Sequence, residues 1–335
     1  MILLTGGAGF IGSHTAIELL SSGHSIVIAD NFSNSQRDVI SRISALSGVD
    51  VPCYEGNVSD SSFLHQIFER HEISDVIHFA GSKSVAESVE HPLDYYENNV
   101  TSTLKLLKVM AQFDTRSLVF SSSATVYGAS DDMPLVESMS MLPASNPYGL
   151  TKQIIEMMLV DLAARDPRWA ITSLRYFNPV GAHPSGLIGE CSNDKSNNLM
   201  PILIEAASGV RDYITIFGDD YDTPDGTGIR DFIHVVDLAR GHVSAVNLNT
   251  SRNGHHAYNL GTGRGTSVLE LIETFESVTG QSIKRQIGPR RSGDVAVSYA
   301  DASKAWKELS WRAEFGPEAM CEHAWQFYRR TKGLT

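Results

Sequence analysis

The sequence predicts an α/β protein, a doubly wound parallel Rossmann sheet with a smaller mixed α/β substrate domain. Three observations carry that expectation. Short β-branched runs alternate with longer amphipathic segments, the pattern of repeated βαβ units. The first apolar run leads straight into TGGAGFIG, a glycine-rich turn between a strand and a helix. The second apolar run ends in an acid, Asp30, eighteen residues past Gly12. With 335 residues the chain can bury a large core and divide into two domains.

Taken in order, strands are expected near Met1–Thr5, Ser25–Asp30, Val51–Glu55, Asp75–Phe79, Ser117–Ser122 and Ala170–Arg175, each a short apolar run bounded by polar or glycine-rich turns. Helical patterns fall between or after them at Ile11–Ser22, Ser35–Leu46, Ser61–Arg70, Pro92–Gln112 and Tyr148–Arg165. Right-handed crossovers then place any ligand at the carboxyl ends of the strands. After Arg175 the pattern changes, and Asn178–Lys195, rich in Gly, Pro, Asn and Ser, reads as a long functional loop. His256–Leu260 is a candidate seventh strand. The expected division is a dinucleotide-binding domain of residues 1–176 with about 231–261, and a substrate domain of 177–230 and 262–335.

Composition narrows the function. Against 27 basic residues stand 39 acidic ones, a net charge of −12, which argues against nucleic-acid or anionic-membrane binding. An anionic ligand must therefore be held by local positive groups. The three cysteines, Cys53, Cys191 and Cys321, are widely spaced and read as reduced thiols of a cytoplasmic protein. No histidine or cysteine spacing suggests a metal. The opening MILLT is too short for a signal peptide or a membrane span.

Gly6, Gly9 and Gly12, with Gly7 permitting a second reading of the motif, allow a tight turn whose N–H groups and helix N-terminus can approach a pyrophosphate. Asp30 suits the hydroxyls of an adenosine ribose and would repel a 2′-phosphate, which favours NAD over NADP. Arg37 nearby is the group that would argue otherwise, and Asp30 also fits a plain turn or cap residue. Downstream, NPYGLTK places Tyr148 and Lys152 four residues apart on one helix face. There an ammonium favours ionisation of the phenol, making Tyr148 a usable base. Ser123, in FSSSATVYG, ends an apolar run and can hydrogen-bond the same substrate hydroxyl. Together these residues suit hydride transfer at an alcohol carbon.

TGGAGFIG, Asp30-Asn31, HFAG, SSSATVYG, NPYGLTK, RYFNPVGAHPSG, NNLMP and RDFIHVVDLA occur in that order. In these motifs, over nearly its whole length, the chain resembles the extended short-chain dehydrogenase/reductase superfamily and, within it, the UDP-hexose 4-epimerases. The resemblance implies Ser123, Tyr148 and Lys152 as the catalytic trio, with Tyr148 removing the 4-hydroxyl proton, Lys152 lowering the Tyr148 pKa, and Ser123 orienting the 4-oxygen. It implies an NAD site built from the glycine loop with Phe10 and Ile11, and from Asn31, Asn34 and Ser35 beside Asp30. Asn57 and Val58 would lie near adenine, with Asn57 standing where relatives often place Asp. Phe79, Ala80, Gly81 and Lys83 would line the cofactor, joined by Asn98 and Tyr176. For a UDP-sugar it implies Lys83, Phe177, Asn178, Asn198 and Leu199, Phe217 near the uracil, Arg230 and Arg291 on the diphosphate, and Asp294 on the uridine ribose. Read without the resemblance, Asn178 fits a turn cap and Arg230-Asp231 a surface ion pair. Phe232 replaces the Tyr of some relatives. A homodimer is implied through Pro92–Gln112 and Tyr148–Arg165, whose apolar stripes fit a core equally well.

Ser298, aligned through Arg291, Gly293 and Asp294, falls on the position that gates the sugar C2 substituent in the family. A small side chain there leaves room for an acetamido group, so the expected substrates are UDP-Glc/UDP-Gal and also UDP-GlcNAc/UDP-GalNAc. The alternative places Tyr299 in the gate. Dehydratases of this superfamily carry an Asp-Glu pair where this chain has Ala124-Thr125, and non-enzymatic nucleotide sensors lose the Tyr-Lys pair that it keeps.

Overall fold

The computed structural model describes residues 1–191, 198–291 and 294–334. Seven parallel strands form its central sheet: β1 (Ile2–Thr5), β2 (Ile26–Asp30), β3 (Cys53–Glu55), β4 (Asp75–His78), β5 (Ser117–Ser123), β6 (Ala170–Tyr176) and the Gly254–Leu260 strand. Their spatial order is Gly254–Leu260, β6, β5, β4, β1, β2, β3. The chain winds outward from β1 through β2 to β3, then returns to continue on the other side at β4. The crevice between the ends of β1 and β4 is therefore the switch point where open sheets bind ligands.

Buried on both faces, these strands need apolar residues at successive positions. Leu4, Ile28, Ile77, Val119 and Leu174 enter one core, while their neighbours Leu3, Val27, Val76, Leu118 and Ile171 enter the other. Register follows, with Leu4 beside Ile28 on one side and Ile77 on the other. A third core gathers Met200, Leu203, Ile214, Ile216, Leu271, Phe275 and Met320 from the later part of the chain. Several helix starts are fixed by their caps. Asp60 accepts from Ser62 N before Ser61–Arg70, and Ser267 with Glu270 forms a reciprocal capping box.

Helix Ser61–Arg70 is as expected, and the strands shift by one or two residues. The seventh strand starts two residues earlier, at Gly254, and the second helix only at Asp38. The expected helix Pro92–Gln112 is the larger departure. It is broken into Pro92–Tyr95, a π-helical turn Tyr96–Thr101 and Ser102–Gln112, and Asn98 and Asn99 sit within the turn. Such turns displace the helical register and are frequent at functional sites. The Asn178–Lys195 segment begins as a strand, Asn178–Val180, paired with Phe232–His234, and continues as a hairpin; residues 192–195 lie outside the described residues. Among the described residues no helix is long and apolar enough to cross a membrane.

Candidate active site

At the switch point the glycines are required by space. Gly6 has φ +70°, and a Cβ there would lie 2.7 Å from Ala80 N. A Cβ on Gly12 would lie 2.5 Å from Gly6 O. Without side chains, the loop runs against the HFAG segment and turns directly into helix Phe10–Ser21. That helix starts with no side-chain cap and no acid in its first turn, which leaves its positive end for an anion. Asp30 ties this loop to the next one: Oδ2 accepts from Ala8 N at 2.9 Å, and Oδ1 from Phe32 N at 2.8 Å and Ser35 Oγ at 3.4 Å. Burial raises its pKa while these hydrogen bonds oppose the rise. A carboxylate has lone pairs beyond these three, so ribose hydroxyls can still be accepted. Arg37 pairs with Glu55 and lies over the Phe32 ring at 5.2 Å, its charge already matched. Glycine cradle, uncapped helix end and acid together fit an adenine dinucleotide lacking a 2′-phosphate.

Other expected cofactor residues divide by what they touch. Phe79 N and Ala80 N donate to Thr5 O, which fixes HFAG beside β1. Asn98 Nδ2 donates to Ser82 Oγ at 2.9 Å. Asn99, unremarked in the sequence reading, is buried and does more: it accepts from Ser82 N at 2.7 Å and donates to Ser82 O and to Thr151 Oγ1. The side-chain oxygens of Asn31 and Asn57 accept from Ser33 N and Ser59 N within their own turns. Ile11 packs partly against one core and Val58 lies in the other. Tyr176 is buried, its hydroxyl donating to His242 Nε2, whose Nδ1 bonds Leu238 O.

Helix Pro147–Arg165 carries the catalytic candidates, and NPY explains where it begins. Asn146 caps it through Gly149 N at 2.8 Å, and Pro147 occupies the first helical position. Tyr148 thus stands in the first turn, near enough to Ser123 at the end of β5 for that hydroxyl to favour its ionised form. Lys152, 6% exposed, donates from Nζ to Ser121 O at 2.7 Å and lies 4.8 Å from the Phe120 ring centre and 5.8 Å from that of Tyr148. Burial brings the Lys152 ammonium down to about 8, with Glu156 opposing. Burial raises the Tyr148 phenol and Ser123 opposes that rise, while the Lys152 ammonium donates to the Ser121 carbonyl.

The model of the NAD dependent epimerase/dehydratase family matches residues 2–261. The chain belongs to this family. It is 52% identical over 327 residues to a UDP-glucose 4-epimerase of Dictyostelium discoideum, covering 97% of this chain and 95% of the relative. The crystal structure of the Bifidobacterium longum UDP-glucose 4-epimerase in complex with NAD+ and UDP superposes with a TM-score of 0.96 at 46% identity, covering 100% of this chain and 99% of that one. The UDP-Glc/GlcNAc 4-epimerase of Campylobacter jejuni gives 0.86 at 37% identity, covering 98% and 99%. NAD is the cofactor of the family, and the cradle described above fits it.

The anion-binding candidates of this epimerase/dehydratase member come from the later part of the chain. Arg291 stacks over Phe217 at 4.0 Å, and Arg230 Nη2 lies 3.8 Å from Asp294 Oδ1. Burial lowers the Arg230 pKa first, Asp294 opposes, and Arg291 repels it further. Two guanidiniums held near each other suit a ligand with adjacent negative groups. The alternative of an Arg230-Asp231 surface pair is excluded, because Asp231 is 0% exposed and accepts from Thr262 N, Gly263 N and Ala300 N. It ties the strand end to two loops, a role no local motif signals.

Asn178 is exposed, its N–H spent on Asp231 O, while Phe177 is buried with Tyr127 and Leu135. Asn198 caps helix Leu199–Ala207 by position, and its Nδ2 donates to Glu190 Oε1 at 3.4 Å. Lys83 pairs with the same oxygen at 3.3 Å. Ser298 lies opposite Arg230 in a parallel ladder, so the two side chains share a face. Tyr299, the next residue, packs toward Gly265, where an added Cβ would lie 3.7 Å from its ring. Among the described residues no three His, Cys, Asp or Glu side chains form a metal site.

Proposed function

We propose that the chain is a UDP-hexose 4-epimerase, inverting C4 of UDP-glucose and UDP-galactose through a transient 4-keto sugar. The observation that carries this is the Ser123–Tyr148–Lys152 cluster at the end of β5, in the same sheet whose β1–β4 switch point carries the dinucleotide cradle. NAD, when bound, accepts a hydride from the sugar and returns it, so the reaction is redox-neutral overall. Lacking side chains, Gly6, Gly9 and Gly12 let its pyrophosphate approach the uncapped start of helix Phe10–Ser21, and Asp30 accepts from its ribose. Tyr148 takes the proton from the 4-hydroxyl and gives it back to the 4-oxygen, while Ser123 holds that oxygen in place. Because burial raises the phenol, proton removal needs positive charge nearby, and Lys152 is the cation of this chain that faces it. Arg230 and Arg291 anchor the diphosphate and leave the hexose free to turn between its two faces. Ala124 and Thr125 supply no carboxyl group for water elimination, which disfavours a dehydratase.

Ser298 extends the reading to N-acetylated substrates. A hydroxymethyl side chain on the Arg230 face, with Tyr299 directed elsewhere, supports a pocket open to an acetamido group. We also assign residues 1–176 and about 231–261 to cofactor binding, and 177–230 with 262–335 to the UDP-sugar. The homodimer is supported by Leu93, Leu104, Met157 and Val160, which stand exposed on the two helical regions expected to pair, Leu93 at 78%. Sedimentation of the purified protein tests it, and a monomer at micromolar concentration would end that part of the proposal.

The deciding experiment gives purified protein UDP-glucose and UDP-GlcNAc in separate reactions with no added cofactor. Conversion of both to their 4-epimers supports the full reading. Turnover of UDP-glucose alone removes the Ser298 argument, and turnover of neither, even with NAD supplied, refutes the epimerase.

A further inference from the structure

Glu190 holds together two residues that come from different parts of the chain and that the reading above places on the substrate. Its carboxylate Oε1 pairs with Lys83 Nζ at 3.3 Å and accepts from Asn198 Nδ2 at 3.4 Å. Lys83 follows β4; Asn198 opens the helix Leu199–Ala207. The side chain of Glu190 is only 13% exposed, against 52% for Lys83. A carboxylate so far removed from water, beside a crevice for an anionic ligand, works against binding unless its charge is used.

The backbone beneath Glu190 is firmly set. Ala182 and Gly189 form an antiparallel bridge, and His183 N donates to Ile188 O at 2.8 Å. Ile188 is buried in the core, Arg42 Nη1 donates to Leu187 O at 3.2 Å, and Arg330 Nη1 to Ser185 O at 3.0 Å. Gly189 sits so close to the C-terminal helix that a Cβ would lie 2.3 Å from the Phe327 ring. The carboxylate is thus delivered from a hairpin tied to two helices and to the core.

We infer that Glu190 is a substrate-positioning residue, whose carboxylate pre-orients the Lys83 ammonium and the Asn198 amide toward the UDP-sugar. This rests on the assignment of Lys83 and Asn198 to the substrate. An ammonium carries three N–H donors, so Lys83 can hold Glu190 and still reach a ligand. Fixing a flexible lysine before binding removes part of the ordering cost that binding otherwise carries.

A double-substitution cycle on UDP-glucose affinity tests this. Titration calorimetry is run on the full chain carrying Tyr148→Phe to block turnover, with Glu190→Gln, Lys83→Met, and both. Glu190→Gln is expected to weaken UDP-glucose by about five- to tenfold, the lower end of a charge-assisted contact because Lys83 is half exposed. In the Lys83→Met background the same change should cost less than about twofold. In the otherwise native enzyme, KM should rise with kcat nearly constant. Equal weakening in both backgrounds would make Glu190 a loop anchor and overturn the inference, as would tighter binding by Glu190→Gln, which would mark mere repulsion. If Glu190→Gln does not fold, Glu190→Asp carries the same cycle, since a side chain one methylene shorter cannot reach both partners. Absence of UDP-glucose binding with Glu190 intact would refute the parent assignment and this inference with it, whereas binding unmoved by Glu190→Gln refutes this inference alone.

Discussion

Lys152 should make the protein less stable at neutral pH than at alkaline pH, and removing it should expose that cost. Its pKa falls from 10.5 to about 8, through burial, with Glu156 opposing. The folded state therefore binds fewer protons than the unfolded chain between those values, and stability rises with pH across that window. Above 10.5 both states are neutral at this site and no penalty remains. As pH falls through 8 the penalty is complete, about 3 kcal/mol from a shift of roughly 2.5 pH units at 1.36 kcal/mol each. Lys152→Met keeps a similar apolar stem without the charge, at the loss of the bond to Ser121 O. Relative to the parent, it should lose about 2 kcal/mol of any stability advantage between pH 7 and pH 9.5. Urea unfolding of both proteins at these two pH values measures the change. The slope is the decisive quantity, because altered cofactor retention adds mainly an offset common to both pH values. A stability difference that stays flat, or grows as pH rises, would refute the assignment of a burial-depressed ammonium.

Four other outcomes follow from particular contacts. Tyr148→Phe should lower kcat by about 10²–10⁴-fold with little change in UDP-glucose affinity, because general base action lies in the chemical step; steady-state kinetics beside calorimetry separate the two. Ser298→Tyr should reduce kcat/KM for UDP-GlcNAc by about five- to 150-fold, the kinetic equivalent of 1–3 kcal/mol of overpacking, while sparing UDP-glucose; equal loss on both substrates would sink the gate. Arg291→Leu should weaken UDP by about tenfold or more and flatten the salt dependence of its binding, as calorimetry across a salt series would register. Glu156→Gln should destabilise the fold by about 3–5 kcal/mol, seen as a lower urea midpoint, since Arg175 would keep a buried charge without its carboxylate partner.

The sequence made the Rossmann half largely legible because its signals are local. An apolar run such as ILLT, a glycine turn with one permitted backbone path, and an Asn-Pro helix start each determine their structure within a few residues. The π-helical turn at Tyr96–Thr101 was not readable, because YENNV keeps ordinary helical composition and its register shift is held by Asn99 bonds to Ser82 and Thr151. Asp231 and Glu190 escaped for a related reason. Each looks like a surface acid in sequence, and each becomes an organising group only when distant N–H or ammonium donors arrive. The surroundings of Tyr148 were not readable either, because helical spacing gives neighbourhood but neither burial nor the Ser121 carbonyl that the Lys152 ammonium meets.

On the proposed assignment, an acidic protein holds a doubly charged ligand. With a net charge of −12, long-range attraction is absent, so affinity must come from cations placed at short range. Lys152 and Arg230 are each held at a cost, both depressed by burial. Arg230 is further opposed by Arg291. Each arrangement is less favourable in the free protein than it becomes once negative charge enters, whether a phenolate at Tyr148 or a diphosphate between the guanidiniums. Stability forgone in the empty site thus reappears as preference for the charged, reacting ligand, which is where binding energy serves catalysis. This explains why substitutions that remove one of these cations should lose function while leaving the fold as stable as before, or more so.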